Sequence, residues 1–360
     1  MKRQLIVLVS VFIILLPTAL SSLTVEQGRV RLVLHEDSGR FSLYYLSDID
    51  KDEYVSLLFQ RDPRTSSTGI LHNNRVITLG SSNVFTQQTT ETSQGARFTW
   101  TSSQLEIHQD FRFVKSTNSG LADGIRIDTT IINKSEDIQS VGVHHLFDTY
   151  LGEKRDAHFI TSDNEELESE TGYSLRPPSY WVSPTEQESG KFKGLISMLK
   201  GSGITLPDKV VFANWKRLSE NLWNMQVQSN RNFNLLPYSI NDSAVCQFYD
   251  PIKLAAGDRR TITAALGAFT GSPLQTTATE SHSQTTESDL DQILSSTKSD
   301  SSGKSRQQLV REDLIAVNDI ISQINSLLSF PEDISEEKIE VLEKSLNNLR
   351  EKQRQYQNSD

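Results

Sequence analysis

The run His144-Leu146-Asp148, threaded by His145 and Phe147, carries the most chemistry-bearing side chains at short spacing in this 360-residue chain. In an extended strand neighbouring side chains point to opposite faces. His144, Leu146 and Asp148 therefore share one face, and His145 and Phe147 the other. An imidazole and a carboxyl on one face can orient a proton or hold a metal ion, and they serve equally well as a hydrogen-bonded structural pair. His35, His72, His108 and His158 show no H-x-x-x-H or H-x-H spacing, so no zinc site is expected. If the chain is catalytic, His144 and Asp148 are the candidates; otherwise they are ligand-binding residues.

Two further patterns invite a chemical reading. Asp48, Asp50 and Asp52 alternate as the first ligands of a calcium loop do. Glu53, however, stands where that loop needs glycine, and Phe59 where it needs a bidentate glutamate, so an acidic, solvated turn is expected and no metal. Arg176-Pro177-Pro178-Ser179-Tyr180-Trp181 presents two large rings behind two prolines. Prolines remove ladder donors, so a loop is expected here, with Tyr180 and Trp181 able to stack on a sugar. Trp215 and Trp223 read as rings that cap a core. The acidic stretch 163–170 reads as a wet loop.

The standard catalytic signatures are missing from the sequence. It holds no P-loop, no G-x-S-x-G elbow, no H-E-x-x-H and no C-x-x-C. Cys246 is the single cysteine and lies in the apolar run AVCQFY, which is the setting of a packing thiol. No cofactor is expected.

The elements that must hold these residues are strands. Val30–Leu34, Phe41–Leu46, Phe98–Trp100, Leu105–Ile107, Phe111–Phe113, Ile125–Ile132, Val141–Phe147, Ala244–Tyr249 and Thr261–Leu266 alternate or run apolar, with turn residues between them. No helical period persists before about residue 270. The expected fold is mainly β, an antiparallel β-sandwich or supersandwich over residues 22–271.

Two segments carry a family resemblance. Thr130 to His145 reads as strand, Asn133-Lys134-Ser135 corner and strand; Pro251 to Ile262 reads as a second strand–turn–strand. Both resemble the galactose-mutarotase-like β-supersandwich of carbohydrate-active proteins. The resemblance implies a histidine acid and a glutamate base. His144 or His145 could supply the first; Glu153, Glu165, Glu166, Glu168 and Glu170 are all open for the second. Asn133 and Asn241 head N-x-S sequons.

The two ends differ from this domain. Lys2 and Arg3 precede an apolar run from Leu5 to Leu16, then Pro17, Ala19 and Ser21, the pattern of a secretory signal cleaved after Ser21. Losing two basic residues takes the formal net charge from −10 to −12. So acidic a chain lacks the basic surface that nucleic acid requires. Residues 272–305 contain sixteen serines and threonines in 34, and a disordered linker is expected. Over residues 306–357, Val310, Leu314, Val317, Ile321, Ile324 and Leu328 form one helical stripe, and Ile339, Leu342, Leu346 and Leu349 a second. A helical αα-hairpin is expected, and two helices alone leave part of each stripe in water.

These observations predict an exported protein, periplasmic or secreted. Its first functional reading is a non-catalytic envelope protein that binds or scaffolds, its hairpin docking to a protein partner; a second copy or the chain's own β domain are the other surfaces the hairpin could pack on. The alternative is a carbohydrate-binding or carbohydrate-active protein.

Overall fold

The computed structural model describes residues 22–48, 51–189, 192–276 and 347. The expected signal segment, the hairpin stripes and most of the expected linker lie outside the described residues.

The described chain is built from strands, in order β1 (Ser22–Gln27), β2 (Val30–His35), β3 (Arg40–Asp48), β4 (Glu53–Ser56), β5 (Ser67–His72), β6 (Arg75–Thr78), β7 (Thr86–Thr92), β8 (Gly95–Thr101), β9 (Leu105–Lys115) and β10 (Ala122–Asn133). There follow β11 (Gln139–Asp148), β12 (Phe159–Thr161), β13 (Glu166–Leu167), β14 (Thr171–Tyr173), β15 (Tyr180–Ser189), β16 (Phe192–Met198), β17 (Lys209–Asn214), the short helix α1 (Trp215–Glu220), β18 (Ser243–Leu254) and β19 (Arg259–Phe269).

They form three antiparallel sheets. One has four strands, β1-β2-β3-β4. The second has nine, in the order β13-β12-β15-β16-β19-β10-β9-β8-β7, and the third six, in the order β14-β17-β18-β11-β5-β6. The mainly β, antiparallel class expected from the alternation is thus observed. Inward-facing residues of all three sheets, among them Leu32, Leu43, Phe98, Ile127, Phe147 and Trp181, share one principal core. Two smaller clusters lie elsewhere. Leu146, Cys246 and Phe248 of β11 and β18 pack under α1 and Trp223. Val182, Ile196 and Ala265 pack under Leu274.

Two corrections follow. The rings at Tyr180 and Trp181 are not in a loop: β15 starts at Tyr180, directly behind the prolines, and pairs with both β12 and β16. The prolines end the loop and leave the strand's ladder intact. The domain also runs past residue 271. Gln275 N donates to Lys115 O, Thr117 N donates to Pro273 O, and Leu274 is buried. Backbone pairing to β9 and its following turn holds these residues although their composition belongs to the linker.

The two segments that carried the family resemblance meet in space. Asn133 Nδ2 donates to the carbonyls of Asp137, Leu254 and Ala255, at 2.8, 3.0 and 3.0 Å. Its Oδ1 accepts from Ser135 N and Oγ. One buried asparagine therefore braces the β10–β11 corner against the β18–β19 turn. The asparagine of that sequon is thus buried, with both atoms of its amide engaged in hydrogen bonds.

Candidate functional site

Strand β11 positions the residues singled out first, and alternation sorts them as expected. Leu146 belongs to the outer cluster under α1, and Phe147 to the principal core. His145 faces the core with Phe147, stacked on its ring at a centroid distance of 6.0 Å. Its Nδ1 lies 3.0 Å from Thr68 Oγ1, which also accepts from Gln109 Nε2 of the opposing sheet. Gln247, directly paired with His145 in the ladder, donates to Ser197 Oγ of the nine-stranded sheet. Hydrogen bonds thus cross the sandwich on both sides of His145.

His144 faces outward and is wholly covered. Trp223 meets it edge-on at 6.0 Å and Phe248 lies tilted at 6.3 Å. Neither ring nitrogen has a hydrogen-bond partner among the described residues. Burial, then the charges of His145 and Arg40, pushes its pKa down to about 3, so it stays neutral at physiological pH. His145 is lowered to about 4 by burial.

Neither imidazole meets a carboxylate. His144 and Asp148 share a face but stand four residues apart, roughly 13 Å along the strand. Trp181 is fully buried in the principal core, and Tyr180 packs against Phe269 on the outer side of the nine-stranded sheet. The structure therefore does not gather His144, Asp148, Tyr180 and Trp181 into one pocket. Val310, Leu314, Val317, Ile321, Ile324, Leu328, Ile339, Leu342, Leu346 and Leu349 lie outside the described residues.

What the fold does assemble is a group of carboxyls at the end of β11. Asp148 is 3 % exposed and lies beside the Thr65 side chain, whose hydroxyl donates to Asp62 O at 2.8 Å. Two short connections bring Glu153 and Asp242 beside it. Thr149 N and Oγ1 both donate to Ser243 O, at 3.2 and 2.8 Å, which ties the turn after β11 to the start of β18. Ser243 N in turn donates to Glu153 Oε1 at 3.2 Å. Burial, with the charges of Asp242, Glu153 and Asp62 adding to it, pushes Asp148 up to about 8. Burial and Asp242 push Glu153 to about 8, and burial raises Asp242 as well. Glu153 and Asp242 remain partly exposed at the rim. The arrangement offers the protonated carboxyls of Asp148 and Glu153, able both to donate and to accept, at neutral pH, with Asp242 beside them.

The other acids have structural roles. Glu170 is no wet-loop residue: it is fully buried, pairs with Arg217 through Nε and Nη2 at 2.5 and 3.1 Å, and accepts from Gln228 N. Glu165 accepts from the Tyr173 hydroxyl at 2.6 Å. Asp48 pairs with Lys51. Trp215 and Trp223 cap the outer cluster, as their setting suggested, with Trp215 Nε1 donating to Thr65 O. A groove of about 560 Å³ runs beside β6, lined by Arg75, Thr78, Ser81, Ser82, Asn83 and Val84 among others. None of the four sequence-derived site residues lines it.

This geometry defines an antiparallel β-sandwich with a carboxyl cluster at one strand end. Among solved structures it is similar to a putative aldose 1-epimerase from Escherichia coli K12, with 10% identity over 69% of this chain and 98% of that one, at a TM-score of 0.36. It is similar to a GalM/aldose epimerase homologue from C. elegans, with 9% identity, 68% and 98% coverage and a TM-score of 0.38. A galactose mutarotase-like protein from Clostridium acetobutylicum matches at 9% identity over 70% and 94%, with a TM-score of 0.35. These neighbours include galactose-mutarotase-like proteins, the group that the segments from Thr130 to His145 and from Pro251 to Ile262 weakly resemble, each at a TM-score below 0.5. No family model matches the sequence. No curated protein matches it either.

Proposed function

We propose that the β domain is a carbohydrate-recognition module whose sugar-facing groups are Glu153 and Asp242, backed by Asp148. The observation that supports this reading is the convergence of Asp148, Glu153 and Asp242 at the end of β11, where the Thr149–Ser243 and Ser243–Glu153 hydrogen bonds hold the connections together. Vicinal sugar hydroxyls are matched by convergent carboxyl oxygens, and a small set of convergent polar groups with displaced pKa values is the usual mark of a binding site. Recognition is favoured over mutarotase-type catalysis. Such chemistry pairs a histidine with a glutamate, whereas His144 is sealed in without a polar partner and His145 is bonded to Thr68.

Calorimetry of the full chain against a panel of soluble glycans tests the reading. At least one glycan is expected to bind, with Glu153→Gln and Asp242→Asn each weakening it tenfold or more. Ser82→Trp, which fills the groove beside β6, should leave binding unchanged. Absence of binding across the panel, or loss only in Ser82→Trp, would overturn the assignment.

Export to the periplasm or the cell exterior remains part of the proposal, supported by Lys2, Arg3 and the apolar run that follows them.

A further inference from the structure

The segment Asn234–Ile240 holds an unusual surface. Leu236, Tyr238 and Ile240 are 71 %, 72 % and 70 % exposed, within five residues of one another. Their frame is tied down. Leu235 and Ser239 exchange backbone hydrogen bonds, each at 2.9 Å, and Tyr238 N donates to Leu235 O at 2.7 Å. Below the tip, Asn214 Nδ2 donates to Phe233 O, Ser239 Oγ and Asp242 O, at 2.9, 2.9 and 3.0 Å. Phe233 itself is buried in the principal core. Three large apolar side chains are thus presented to water on a braced hairpin. Single exposed apolar residues need no explanation, but a fixed cluster of them marks a contact surface.

The same chain contains an apolar stripe in need of cover. Val310, Leu314, Val317, Ile321, Ile324 and Leu328 repeat at helical spacing, widened by Ile320 and Leu327, a pattern wider than the seam that the αα-hairpin expected from the sequence would cover. The connection is long enough. Hydrogen bonds from Arg126 Nη1 to Thr276 O, and from Thr276 Oγ1 to Ser202 O, fix the chain at Thr276. Thirty-three residues lie between Thr276 and Val310, a contour of up to about 110 Å. Strand β17 leads from the loop after Ser202 up to Asn214 under the tip, a climb of roughly 17 Å.

We propose that the Leu236–Ile240 tip is the seat of the Val310–Leu328 stripe of the same chain, so that the tail docks on its own β domain. This does not rest on the carbohydrate reading, since the tip residues are not those of the carboxyl cluster. Each apolar side chain seated is removed from water on both partners, and the tether raises the local concentration of the tail far above that of a second copy.

Cysteine pairs in the full chain test the contact, because Cys246 is buried and leaves the introduced thiols as the reactive ones. Among Ile240→Cys pairs with Leu314→Cys, Ile321→Cys and Leu328→Cys, at least one, the position seated on the tip, should form an intramolecular disulfide under mild oxidation at low protein concentration. The pair with Ser326→Cys, on the opposite helix face, should form at least fivefold less. Equal yields, no cross-link, or cross-links only between chains would each overturn the proposal. Hydrogen exchange provides the second measurement. In Leu236→Ser/Tyr238→Ser/Ile240→Ser, amides of 310–328 should exchange at least tenfold faster while those of β9 and β10 do not change; unchanged exchange in the tail would also overturn it.

Discussion

His144 on β11 and Gly69 on β5 stand directly opposite each other in the ladder, and the imidazole occupies the space a side chain at position 69 would need. A Cβ on Gly69 would collide with Cε1 and Nε2 of His144 and press on Ile77 O at 3.1 Å. Glycine is required at this place by close approach rather than by a left-handed backbone.

Gly69→Ala should therefore destabilise the domain by about 1–3 kcal/mol, the usual cost of overpacking a filled interior. The shift in the guanidinium midpoint measures it. The double variant Gly69→Ala/His144→Ala should recover a large part of the loss, since the colliding ring is then gone; no recovery would show that Ile77 O, not His144, sets the limit.

His144 itself is a buried polar ring with no partner for either nitrogen, which costs stability without return. His144→Leu, of similar size, is expected to be neutral or stabilising by about 1 kcal/mol, and to leave glycan binding intact. A tenfold fall in affinity on this substitution would place His144 in the binding machinery, against the present assignment.

Stability should peak near pH 6. Burial holds His144, His145 and His158 at about 3, 4 and 4 against 6.5 in the unfolded chain. The folded state then binds fewer protons, so their contribution is complete above pH 6.5 and is lost as pH falls from there toward 3–4. Asp148 and Glu153, raised to about 8 from 3.8 and 4.5, act in the opposite sense. The folded state keeps protons that the unfolded chain releases, so stability is lost as pH rises from about 4 to 8. The two trends offset between 4 and 6.5; above 6.5 only the carboxyl trend remains. Chemical denaturation from pH 4 to 9 should show the alkaline decline, and Asp148→Asn/Glu153→Gln should flatten it.

Glu170→Gln should cost about 3 kcal/mol, because Arg217 is left facing a buried neutral group and Arg231, 3.8 Å away, loses its nearest carboxylate. The thermal midpoint reads the loss. Near-ultraviolet dichroism from Trp215, beside Arg217 on α1, should report local loosening of the helix before the sheets unfold.

Asn133→Ala removes five hydrogen bonds at once and leaves the carbonyls of Leu254 and Ala255 without their side-chain donor. A loss of about 3 kcal/mol is expected, against about 1 kcal/mol for exposed Asn241→Ala, whose left-handed backbone favours asparagine. Equal midpoints for the two variants would remove the bracing role assigned to Asn133.

Much of the β domain was legible in the residues alone. Alternation located β2, β3, β10, β11, β18 and β19 and sorted His144 from His145 before any coordinates, because adjacent side chains of a strand must diverge. The run AVCQFY marked a buried thiol, and Cys246 is buried. Local signals failed where partners are distant in sequence. Glu170 looked like a wet-loop acid because Arg217 lies 47 residues on. The carboxyl cluster went unseen because Glu153 meets Ser243 across 90 residues. Trp181 was assigned to a loop from Pro177 and Pro178, but the strand begins just beyond them. Side-chain direction along a strand is a property of the local backbone and can be read from periodicity. Which face becomes interior, and which distant groups meet there, depends on strand order and register, and those exist only once the sheets have closed around a common core.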